Sequence, residues 1–74
     1  MAIGDNQERA NRRKAAAKLA DLMDKYGISP ARAAREAGIY PATVQSLRET
    51  APHLDTITRL SKYLEEQIRR RSAT

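Results

Sequence analysis

Ala42, Gln45, Ser46 and Glu49 recur at i, i+3, i+4 and i+7, the spacing of one helical face. The face is short-chained and mostly uncharged. A face that serves solubility alone more often carries lysine and glutamate. These side chains can touch base edges in a DNA major groove. Gln45 can bond adenine through both ends of its amide, and Ala42 can meet a thymine methyl. Ser46 can donate or accept, and Glu49 can accept from a cytosine amino group. Beside this face, Arg48 and Thr43 are expected to reach phosphate, with Arg32 on the preceding helix.

No other chemistry is legible. The chain has one histidine, His53, and no cysteine. It has no phosphate-binding glycine loop and no convergent carboxylates, so the residue set argues against an enzyme. No metal, cofactor or small-molecule ligand is expected. No apolar run approaches the length of a membrane span, and the N-terminus lacks a secretory apolar stretch. The expected location is the cytoplasm, and no membrane partner is expected.

The elements that must position the polar face follow from periodicity and punctuation. Leu19, Leu22, Met23 and Tyr26 predict a helix from about Ala10 to Tyr26, stopped by Gly27. Ser29-Pro30 is an N-cap followed by a first-turn proline, which predicts a short helix from Pro30 to about Ala37. Ala33, Ala34 and Ala37 would face inward there. Gly38 ends that helix and permits a tight reversal, and Ile39 then anchors the turn in the core. Pro41 predicts a third helix to about Glu49, held by Val44 and Leu47. Pro52 forces it to end first. A fourth helix is expected from His53 or Leu54 to about Gln67, with Leu54, Ile57, Leu60, Leu64 and Ile68 as its stripe. No strand-like alternation occurs. The fold class is therefore all-α, a compact bundle of four or five short helices. Twelve large aliphatics lie between Leu19 and Ile68, and 13 of the apolar residues are alanines. A chain of 74 residues with so few large side chains has room for one small core and no deep pocket.

The net charge of +5 sits at the ends. Residues 15–66 carry seven basic and seven acidic groups. Arg9, Arg12, Arg13 and Lys14 form one basic cluster, and Arg69, Arg70 and Arg71 another. The division expected is a partly flexible basic arm over 1–14, a domain over 15–67 and a basic tail over 68–74. The arm suits wrapping a polyanion, and equally suits a solvated, disordered run. The tail suits phosphates or, slightly better, the negative end of a helix dipole. Tyr40 is expected to pack on the core. Ile68, with Tyr63 or Leu64, is a candidate dimer contact, or simply a partly exposed isoleucine.

Residues Pro30 to Glu49 resemble the helix-turn-helix of the lambda repressor and Cro-like family of phage and bacterial regulators. The matching residues are Ala34, Gly38, Ile39, Val44 and Leu47. "GIYPATVQSL" is similar to the phage Cro type, and "PHLDTITRLSKYL" resembles the helix that follows the motif. The resemblance spans roughly residues 14–66. It implies a lambda repressor-like fold, double-stranded DNA as partner and a homodimer on an inverted-repeat operator. It also implies a repressor that blocks a promoter sterically, in a phage or another mobile element. The chain departs from the family at Pro30 and Pro41, which stand where glutamines often make DNA contacts. After the recognition helix, Arg48 and Thr50 replace the usual glutamate and glycine. An antitoxin or adaptor that keeps the same helical shape is the alternative reading.

Overall fold

A computed structural model describes residues 2–72, with side chains from residue 7 onward. Four helices follow one another: α1 (Ala2–Tyr26), α2 (Pro30–Ala37), α3 (Pro41–Gln45) and α4 (Leu54–Ser72). No strand occurs among the described residues.

The joints explain why the chain folds back so sharply. Residues 27–30 read GISP and residues 38–41 read GIYP, so one punctuation is used twice. Gly27 and Gly38 both take positive φ, 64° and 73°. In each joint the following isoleucine amide reaches back five residues to close the helix. Ile28 N–H donates to the Met23 carbonyl at 2.8 Å, and Ile39 N–H to the Ala34 carbonyl at 2.8 Å. Both isoleucines pack on the core. Each proline then opens the next helix at a position that needs no N–H donor. Ser29 caps α2 by accepting from Arg32 N–H at 3.4 Å. Tyr40 has the same extended backbone but makes no side-chain cap. Tyr40 is 82% exposed, so the expected core packing does not occur.

The core is Ala16, Leu19, Met23, Ile28, Ala33, Ala34, Val44, Leu47, Ile57, Leu60 and Leu64. Helix α4 is the hub, packing on both α1 and α2, while α3 packs on α2. Ala33 and Ala34 are buried as expected, which lets α2 lie close to its neighbours. Leu54, expected in the α4 stripe, is 62% exposed because it opens the helix ahead of the core.

Three helix limits differ from the sequence expectation. Helix α1 starts at Ala2 rather than near Ala10, so the expected arm is helical over its described residues. Helix α4 continues through the expected tail to Ser72. There Arg71 donates to the Tyr26 carbonyl and ties the end of α4 to the end of α1. Helix α3 stops at Gln45 rather than Glu49, and residues 46–49 form turns. Ser46 leaves helical geometry at φ −106° and ψ 25°. Its carbonyl then gathers Glu49 N–H at 3.0 Å and Thr50 N–H at 3.1 Å. The Thr50 hydroxyl donates to the same oxygen at 3.0 Å. The chain keeps winding, but not as an α-helix.

Candidate nucleic-acid interface

Helix α3 is a turn and a half long, so few of its side chains can point outward. Ala42 and Gln45 are exposed, together with Tyr40 and Pro41 at its start. Thr43 is half-buried between the exposed rim and buried Val44. Ser46 is half-buried too, and its hydroxyl donates to the Ala42 carbonyl at 2.8 Å. That bond spends the donor expected to read a base. Glu49 is exposed, but it stands on a turn instead of the fourth position of a regular helical face.

Two surface hollows organise the neighbouring charges. One, of about 170 Å³, is lined by Gln45, Arg48 and Glu49 together with Asp24 and Met23 of α1. The other, of about 430 Å³, is lined by Arg9, Arg12, Arg13, Glu49, Ala51 and His53. Glu49 lies on the rim of both, so the basic half of α1 adjoins the polar face. Lys14 and Arg32 line neither hollow.

The arginines expected on phosphate divide into two kinds. Arg9 and Arg13 are exposed. Arg12 is not: its side chain is 21% exposed, with Glu8 at 4.0 Å. Its Nη1 donates to the carbonyls of Ala51 at 3.2 Å and Pro52 at 3.1 Å. Arg48 is forked, with Nη1 on Asp21 and Nη2 on Asp24, each at 2.6 Å. Arg32 pairs with Glu36 at 3.1 Å along α2. Glu36 in turn accepts from the Tyr63 hydroxyl at 2.6 Å. These bonds, Tyr63 first and Arg32 next, hold the Glu36 carboxyl below its ordinary range. Partial burial of Tyr63, then its bond to Glu36, pushes the phenol up.

Sequence reasoning missed Arg12's carbonyl contacts, the Asp21–Asp24 pair and the exposure of Tyr40. Only the spacing of the aspartates, three apart on one helix face, was a usable signal. Of the dimer candidates, Leu64 is 1% exposed and belongs to the core, so it offers a partner no surface. Tyr63 and Ile68 are half-buried on α4.

The joint at Gly38, the buried alanines of α2 and the exposed end of α3 make a helix-turn-helix. A family model described as the Cro/C1-type HTH DNA-binding domain matches residues 18–69. The chain belongs to this family. Searches of curated proteins and of solved structures returned no match. As a Cro/C1-type helix-turn-helix protein it is a double-stranded DNA-binding transcription regulator, of a family that is in general non-enzymatic. No helix among its described residues is long and apolar enough to cross a membrane. The Cro/C1-type match takes in every core residue but Ala16, and also α2, α3, Arg48 with both of its aspartates, and most of α4. It begins after Arg9, Arg12, Arg13 and Lys14, so the basic half of α1 lies outside the family's common domain.

Proposed function

We propose that the protein is a Cro-like repressor that acts as a homodimer on an inverted-repeat operator in the bacterial cytoplasm. The observation that carries this reading is the exposed, short-chained surface of Ala42 and Gln45, presented at the end of a tightly folded helix-turn-helix. Ala42, Gln45 and Glu49 face bases. Arg9, Arg13 and Lys14, with Thr43 and Arg32 nearer the motif, supply phosphate contacts. Tyr63 and Ile68 of α4 belong to the dimer surface. One such domain makes few base contacts, so two-fold pairing is the usual solution, with half-sites about 34 Å apart. A dimer seated on a promoter keeps polymerase off.

Selection of bound duplexes from a random pool at physiological salt, followed by sequencing, tests this. An enriched inverted repeat with half-sites about one turn apart is the expected result. On that site Gln45→Ala costs about 1–3 kcal/mol of affinity and relaxes preference at one position, with binding to unrelated DNA unchanged. A pool without consensus, bound only at low salt, would overturn the reading.

A further inference from the structure

The segment that follows Gln45 is anchored to α1 at both ends, by arginines pointing in opposite directions. Arg48 reaches from the segment to Asp21 and Asp24 of α1. Arg12 reaches from α1 to the carbonyls of Ala51 and Pro52. Helix α3 itself packs on α2 and spans only five residues. Its C-terminal end, where Gln45 stands, therefore takes its seat against α1 through these bonds and the buried Leu47.

We propose that Arg48 is a positioning residue for base recognition, fixing Gln45 and Glu49 against α1, and that it is not a phosphate contact. The proposal rests on the reading of the protein as a sequence-specific DNA binder. Three observations support it. Nη1 and Nη2 are both committed to carboxylates at 2.6 Å, the length of strong charge-assisted bonds. Two carboxylates balance the one guanidinium, so Arg48 has no unmatched charge to offer a phosphate. All three side chains are at least half exposed, at 50%, 69% and 78%, so the fork adds little to stability. Its consequence is orientation.

The decisive quantity is the ratio of affinities for a preferred duplex and a random-sequence duplex, because the ratio cancels general charge effects. Arg48→Ala is expected to lower that ratio about threefold, the size of effect an exposed ion-pair network can have. Asp21→Asn with Asp24→Asn should lower it to a similar extent, although this change makes the protein more basic. Combining all three substitutions should add nothing further, the signature of one shared interaction. Arg48→Lys, which keeps the charge but loses the planar fork, should recover only part of the ratio. Thermal melting should move little in all of these variants. A ratio unchanged in Arg48→Ala, with both affinities and the salt slope reduced, would make Arg48 a phosphate contact and overturn the proposal. Should the wild-type protein select no sequence, the DNA-binding reading fails separately. Amide exchange at Glu49 and Thr50 then decides about Arg48: faster exchange in Arg48→Ala and in the aspartate pair supports the anchor, and unchanged exchange overturns it.

Discussion

Glu36 shows how a single exposed carboxylate acquires a role from its surroundings. It accepts from Tyr63 at 2.6 Å and pairs with Arg32 at 3.1 Å, joining α2 to α4. Its carboxyl is held below its ordinary value of 4.5, chiefly by the tyrosine hydroxyl. A depressed folded-state value means the contribution to stability is present above pH 4.5 and is lost as pH falls through the lower value. Tyr63→Phe removes the larger cause, so the Glu36 carboxyl should titrate at higher pH in the variant. Carbon-detected NMR titration of the Glu36 side chain checks this, and an unmoved titration would show that Arg32 alone holds it. The exposure of Gln45 and Ala42 was legible in the sequence, as part of a face whose short polar and methyl groups are unusual for solubility alone. The hydroxyl of Ser46 was not, since its bond to the Ala42 carbonyl depends on where α3 ends.

At the scale of elements, the two Gly-Ile joints set the shape. Gly38 sits at φ 73°, and a Cβ built there would meet only Arg59 Nη1, at an ordinary 3.8 Å. Backbone conformation, not a clash, is therefore the cost of a side chain. Gly38→Ala should destabilise the protein by about 1–2 kcal/mol, the usual penalty for a left-handed residue with a Cβ. Urea unfolding measures it. A loss well above that range would mean that the joint does more than turn the chain. The positions of these joints were legible because glycine, proline and cap residues act on neighbours within five positions. The limits of α1, α3 and α4 were less so. Polar residues 2–9 carry no apolar stripe, and nothing within residues 46–49 marks the change from helix to turn.

For the whole molecule, the margin of stability is narrow. A domain of 74 residues has a total stability of about 4–11 kcal/mol. Leu60 is fully buried where α4 meets its neighbours. Leu60→Ala should cost about 2–5 kcal/mol, a large fraction of that total. Denaturant titration of the variant should show a large unfolded population before much urea is added. A retained midpoint would show that the core collapses around the smaller side chain. Charge acts on the same scale. Arg9 and Arg13 are exposed on the helical first half of α1, beside the hollow that Glu49 shares with the polar face. Their joint replacement by alanine should reduce the slope of log affinity against log salt by about two, since each neutralised phosphate contributes about 0.9. Replacing the two residues is a cleaner test than removing residues 1–14, which would also delete Arg12 and free the carbonyls of Ala51 and Pro52. A slope that does not change would show that this end of α1 stays clear of the duplex.

Much of this protein was decided locally. Helical periodicity, the Gly27 and Gly38 stops, the Ser29 cap and the small residues of α2 all act over a few positions, so the all-α fold and the helix-turn-helix could be read from the chain. Tertiary structure alone decided which arginines stay exposed and which are held by the protein's own oxygens. Arg48 finds its aspartates 27 and 24 residues away, and Arg12 its carbonyls 39 and 40 residues away. The i, i+3 spacing of Asp21 and Asp24 marks a possible acceptor pair, but nothing in the chain names its arginine. A surface arginine is the same residue type whether it meets phosphate or carboxylate, and only the packing of α1 beside the segment after α3 supplies the partner.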